Sequence, residues 1–147
     1  MTAKEYFVRV NAAERKIKIL VAKLNHFEDL ARTITSNTSA LGGHQAGTSR
    51  VEQAAVGIVD ATTRLRAEIE KYSAIITDAE KLIEQIPQER YRDILTLRYL
   101  CNWSFRSISD ECHYQDPKSV YRAHGWALIE AQKILREQEK TADPEAS

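Results

Sequence analysis

Two long apolar stripes, each advancing by alternate steps of four and three residues, restrict this chain more than any other feature. The first is Tyr6, Val10, Ala13, Ile17, Leu20, Leu24, Phe27, Ala31 and Ile34. The second is Val51, Ala55, Ile58, Thr62, Leu65, Ile69, Tyr72, Ile76, Ala79, Ile83 and Ile86. A mean step of about 3.5 residues is the seam of helices packed with a left-handed twist. Glu14, Arg15, Lys16, Lys18 and Glu28 lie off the first seam, and no Pro or Gly interrupts it. The pattern predicts one helix over residues 3–36 and a second over residues 49–86.

Between the stripes, Thr35 to Ser39 leads into Gly42, Gly43 and Gly47, a polar run that reads as a flexible connector. Thr48 or Ser49 can cap the second helix, with Glu52 three residues after Ser49 as a capping-box partner. Gly57 weakens that helix by about 1 kcal/mol relative to Ala and would permit a close helix approach. Each helix would span about 50 Å at about 1.5 Å per residue. A short connector makes them an antiparallel hairpin. Ile19, Val21, Leu30, Val59, Ile75 and Leu82 widen the apolar stripe. This surplus points to self-association, or to docking of the remaining helices onto the hairpin.

Composition agrees with an all-α chain. Charged residues make up 29%, aromatics 7%, and there are only 5 Gly and 3 Pro. No run approaches the roughly 20 apolar residues of a membrane span, and Met1 to Tyr6 hold no apolar core of an export signal. A cytoplasmic protein is expected. Cys101 and Cys112 make no disulfide framework. With Lys+Arg 21 and Asp+Glu 21 the net charge is zero, so the whole molecule has no electrostatic bias toward nucleic acid. Any such bias is local: Lys118, Arg122, Lys133 and Arg136 oppose only Glu130 in the segment they share. A modest basic stripe implies weak binding by one copy.

Pro87 ends the second long helix. A helix over residues 88–100 would bury Tyr91, Ile94, Leu95, Leu97 and Leu100, and Asn102 would turn the chain. Ser104 can cap a short helix with Phe105, Ile108 and Cys112 inward. Asp116-Pro117 is an N-cap followed by a proline in the first turn. A last helix then runs over residues 117–138, with Val120, Ala123, Ala127 and Ile134 inward and Leu128 beside them. The final residues read as a disordered tail, 139–147. The expected organisation is a coiled-coil hairpin over 1–86 and a trihelical helix-turn-helix domain over 87–138.

Tyr91 to Leu100, Trp103-Ser104, Ile108-Ser109, Val120-Tyr121-Arg122 and His124 to Leu128 together resemble the helix-turn-helix of sigma-factor region 4. A long helical hairpin ahead of such a module resembles small phage and prophage regulators of the ArpU and RinA kind. The module covers about a third of the chain. Two departures are visible: the turn Cys112 to Asp116 lacks the family's usual glycine and is one residue longer, and Pro117 opens the second helix. The resemblance implies a transcriptional regulator, not an enzyme, in a bacterial host cell. Its partners would be double-stranded DNA and, through the hairpin, a second copy in a homodimer or RNA polymerase. It assigns DNA contact to Lys118, Ser119, Tyr121 and Arg122, with Gly125 beside them, and phosphate contact to Ser104 and Arg106. Arg122 has the chemistry to read guanine O6 and N7. The alternatives are a structural assembly protein such as a small terminase subunit, or a helical scaffold that binds no DNA.

Other chemistries have less support. Cys101, Cys112, His113 and His124 lack the paired spacing of a zinc site, and no metal or other cofactor is expected. There is no phosphate-binding glycine loop and no nucleophile motif. Trp103 and Trp126 read as core or interface residues rather than as platforms for bases.

Overall fold

The computed structural model describes residues 1–41 and 45–142, and their side chains except those of 37–49. The fold is all-α: α1 (Ala3–Leu41), α2 (Gln45–Glu84), α3 (Glu89–Leu95) continued by a π-helical turn (Thr96–Leu100), α4 (Phe105–Glu111) and α5 (Pro117–Ala142). Helices α1 and α2 form the expected antiparallel hairpin. Both run further into the glycine-containing segment than its composition suggests. Of the expected connector, residues 35–41 and 45–47 are helical, and residues 42–44 lie outside the described residues. Thr48 and Ser49 are already inside α2, so neither caps that helix. Gly57 serves no close approach, because a Cβ there would meet nothing within 4 Å.

The chain divides into two compact units that do not follow the expected boundary at residue 86. One comprises Met1–Glu14 and Ala74–Ser147; the other is Arg15–Ser73. In the second unit the hairpin is a simple pair. Leu20 and Thr62 are its buried seam residues, and the Thr62 hydroxyl is satisfied by the Val59 carbonyl at 2.9 Å. Arg66 bridges to Glu28 across the pair at 2.9 Å. The flanking Val56 and Val59 stay 60% exposed.

The first unit has a thicker core. Ala3, Phe7 and Val10 of α1 meet Ala79, Leu82, Ile83 and Ile86 of α2, Leu95 and Tyr99, and Ala127 and Ala131 of α5. Here α1 is covered on more than one side, so its buried arc widens from the seam to include Phe7. Several polar contacts fasten this arrangement. Thr2 and Glu5 form a reciprocal capping box at the start of α1, at 3.1 Å in each direction. Gln132 of α5 accepts the Ala3 amide at 2.7 Å. Arg92 donates to the Ile86 carbonyl at 2.6 Å and to the Pro87 carbonyl at 3.1 Å, satisfying acceptors where Pro87 stops α2.

A second core holds the three short segments together. Ile94, Ile108, Val120 and Ala123 form its centre, ringed by Tyr91, Leu97, Trp103, Phe105, Cys112 and Tyr114. The π turn sets the register of Tyr99 within it. Continuing the α period from Tyr91 and Leu95 would carry Arg98 inward. The Cys101 amide instead reaches back five residues to the Thr96 carbonyl at 3.0 Å, which brings Tyr99 inward. Asn102 then turns the chain at φ 63°. Its amide donates to Glu14 at 2.8 Å, and Asn11 donates to the Tyr99 carbonyl at 3.1 Å and to the Asn102 side chain. Helix α5 continues through residues 139–142, where a disordered tail was expected; residues 143–147 lie outside the described residues.

Candidate nucleic-acid interface

Helices α4 and α5 and the turn between them build a helix-turn-helix. Ser104 caps α4, accepting the Ser107 amide at 3.1 Å. Cys112 bonds back to the Ile108 carbonyl at 2.9 Å, and the Tyr114 amide to the Ser109 carbonyl at 3.0 Å. Between them His113 takes φ 57°. This is the left-handed conformation that favours glycine, so the missing glycine is replaced in conformation rather than bypassed. Arg90 supports the far side of the turn, donating to the Tyr114 hydroxyl at 3.0 Å with its guanidinium 4.6 Å from that ring centre.

Asp116 caps α5 as expected. Its Oδ1 accepts from the Ser119 amide at 2.9 Å and from the Ser119 hydroxyl at 3.2 Å. The amide hydrogen bond holds the Asp116 carboxyl below its usual range, opposed by slight desolvation and assisted by the Ser119 hydroxyl, Lys118 and Arg122. The residues expected to meet DNA therefore separate into two kinds. Lys118, Tyr121 and Arg122 project to solvent from the first turns of α5, opposite the buried Val120 and Ala123. Ser119 is half-buried and its hydroxyl is engaged with Asp116; Ser104 is likewise occupied with its cap and with the Ser107 hydroxyl at 3.0 Å. Arg106 is exposed, but Asp110 follows it four residues later on the same face of α4. Gly125 is exposed and open, with nothing within 4 Å of a Cβ built there.

Behind this face lies a packed aromatic group that sequence reading missed. The Phe105 ring is 4.6 Å from Tyr121 and 5.0 Å from His124, with the Arg98 guanidinium 4.1 Å from the Phe105 ring centre. Arg98 also donates to the Trp103 carbonyl at 3.0 Å. The tilted contact with Phe105 sets the direction in which Tyr121 leaves the helix. Tyr99 Oη lies 2.7 Å from His124 Nε2. Burial drives His124 down to about 4, assisted by Arg98 and Lys4, while burial raises the Tyr99 phenol. Both groups are then neutral at neutral pH, and the imidazole tautomer sets which of the two donates. Because His124 binds its proton more weakly folded than unfolded, its contribution is complete above the unfolded value near 6.5 and is lost as pH falls toward about 4. Discounted for partial solvent exposure, that loss is about 1–2 kcal/mol. Urea unfolding at the two ends of this window should show it, and His124→Asn should flatten the dependence.

The two tryptophans differ. Trp103 is half-buried in the trihelical core, as expected. Trp126 is 58% exposed, which excludes a core role. Among the described residues no group of three or more His, Cys, Asp or Glu could hold a metal ion, and no helix is long and apolar enough to cross a membrane. Cys101 is exposed; Cys112 is half-buried, its thiol pushed up first by burial and then by Asp93 and Glu111. A scan against family models, a search of curated proteins and a search of solved structures each returned no match.

Proposed function

We propose that this protein is a sequence-specific DNA-binding regulator of transcription, of phage or prophage type, acting through the helix-turn-helix. The observation that carries the reading is the presentation of Lys118, Tyr121 and Arg122 on the solvent side of a capped second helix. The other side of that helix is locked by Val120, Ala123 and Ala127. A helix so held can enter the major groove with its N-terminal turns. Arg122 would meet a base edge and Lys118 a phosphate. The cap charge at Asp116 stands beside these two cations and limits the local positive field. One copy should therefore bind weakly, and two linked heads would raise the effective concentration. The exposed Val56 and Val59 on the hairpin support self-association. RNA polymerase remains a proposed partner of the same hairpin.

Fluorescence anisotropy with labelled duplex tests this reading. Binding should be measurable at low salt and should fall steeply with added salt, because phosphate contacts release counterions. No binding by the folded chain at low salt would remove the regulator proposal and leave a scaffold. Sedimentation equilibrium should give twice the 16.8 kDa chain mass. A ring-sized mass would instead favour the assembly role.

A further inference from the structure

The exposed side of α5 does not end with the residues proposed to meet DNA. Trp126, 58% exposed, and Ile129, 48% exposed, follow on the same side of the helix. Trp126 lies eight residues beyond Lys118, about 12 Å further along the axis at about 1.5 Å per residue. That is past the turns that a recognition helix inserts into a groove. Gly125 leaves the surface next to Trp126 without a side chain, and a Cβ there would meet nothing within 4 Å. The indole face is thus open to a partner from that side.

Cations border the apolar pair. Arg122 lies ahead of it, and Arg136 and Lys140 lie beyond it at helical spacing. None of these three is in an ion pair among the described residues. Glu130, the nearest acid in sequence to Ile129, is half-buried and answered by Lys133 at 3.0 Å; Glu137 and Glu139 are exposed in the turns of Arg136 and Lys140, but helical spacing sets them on the flanks of this side. An open apolar centre with a basic border is complementary to an acidic partner that carries its own apolar residues. A second copy of this face is a poor occupant, since a two-fold pairing would bring the same cations together. Nucleic acid is also a poor occupant, since phosphates offer Trp126 and Ile129 nothing in exchange for their hydration.

We infer that the Trp126–Ile129 side of α5 is a docking surface for an acidic, amphipathic protein segment, separate from the DNA-facing turns. The segment seats apolar side chains on Trp126 and Ile129 and sets carboxylates against Arg136 and Lys140. Basic residues beside an exposed indole make Trp126 the anchor, the residue type that most often dominates such contacts. This inference does not depend on the regulator reading: the surface is there whether or not the first turns of α5 bind DNA.

The probe is a synthetic peptide of about 18 residues, about five helical turns, with a leucine stripe and glutamate elsewhere. One control peptide replaces glutamate with lysine, and another replaces leucine with serine. The full chain is used with Trp103→Phe, so that Trp126 is the reporting indole. The acidic peptide should shift Trp126 emission to the blue and saturate below about 100 μM, and neither control should do so below about 1 mM. With labelled peptide, Trp126→Ala should weaken binding by about tenfold or more, and Arg136→Glu combined with Lys140→Glu by a similar factor. The double charge reversal should instead gain affinity for the lysine peptide. Both variants keep the buried side of α5 intact, and their helicity by circular dichroism should match the parent. Failure of the acidic peptide to saturate by about 1 mM overturns the proposal, as does equal binding of the lysine peptide. A loss of duplex binding in Trp126→Ala as large as in Arg122→Ala overturns it too, and assigns the surface to nucleic acid.

Discussion

Replacing Phe7 with alanine is expected to destabilise the protein by about 3–5 kcal/mol, the range for removing a fully buried aromatic ring. Phe7 has no solvent exposure. Its ring lies 5.2 Å from Tyr99 in a stacked arrangement and 5.2 Å from Tyr6 edge to face. Its cluster includes the end of α2, the π turn and α5, so three elements would line the cavity left behind. Relaxation into that cavity is limited because each wall is fixed by its own contacts: Arg92 at the end of α2, Asn11 on the Tyr99 carbonyl, and Gln132 on Ala3. Urea unfolding followed by circular dichroism measures the loss. A cost below about 1 kcal/mol would mean that α1 does not form part of this core in solution. Phe27, half-buried in the simpler part of the hairpin, should be less costly to replace with alanine.

Arg122→Ala should lower affinity for a selected duplex by the equivalent of about 1–3 kcal/mol, the worth of one good bidentate base contact. The comparison with Lys118→Ala identifies what each side chain does. Loss of a phosphate contact should weaken binding to all duplexes alike and reduce the salt slope by about one. Loss of a base contact should chiefly reduce the margin between selected and random duplex. Both side chains are exposed, so neither substitution should disturb the fold. Equal affinity of Arg122→Ala and the parent for selected DNA would remove Arg122 from the interface.

Much of the fold was legible in the sequence. The four-three stripes placed most inward positions of α1 and α2, because an α-helix repeats its faces at nearly the same interval; Ala3, Phe7 and Leu82 are buried off the stripes and Ala55 on them is exposed. Pro87, Ser104 and the Asp116-Pro117 pair marked boundaries through local chemistry, and each of those boundaries is present. The errors came from interactions that local patterns do not carry. Phe7 lay beside the seam, and only the packing of α5 and the π turn on α1 covers it. Tyr99 was missed because a π turn changes the helical period. The segment from Thr35 to Gly47 read as a connector from its small polar residues, yet the helices run on to Leu41 and start again at Gln45. Thr2, ahead of α1, was missed as a cap although Glu5 stands three residues later.

At the candidate interface, the resemblance assigned Lys118, Tyr121 and Arg122 to the open face of the last helix, and they are exposed opposite the buried Val120 and Ala123. It offered Ser104 both as a cap and as a phosphate contact, since a hydroxyl at a helix start serves equally for either, and it did not show that Ser119 would be held by the Asp116 cap. Nor did it indicate that His113 would adopt the backbone conformation of a glycine. Trp126 read as a core or an interface residue, and its exposure removes only the first of these: indole is so often buried that sequence alone does not separate the two.

The head of this molecule joins distant stretches of chain: the Ala3 amide meets Gln132, and Asn11 meets Tyr99. Contacts of such long sequence separation require a large loop to close before they repay its entropy. During synthesis α1 emerges with Phe7 uncovered and stays so until α5 has been made. The long hairpin, whose partners are nearer in sequence, can zip before then and carry the two ends of the loop toward each other. Assembly of the core that joins α1 to α5 is therefore a late event, and a fragment cut at Pro87 should expose apolar surface and aggregate instead of folding alone.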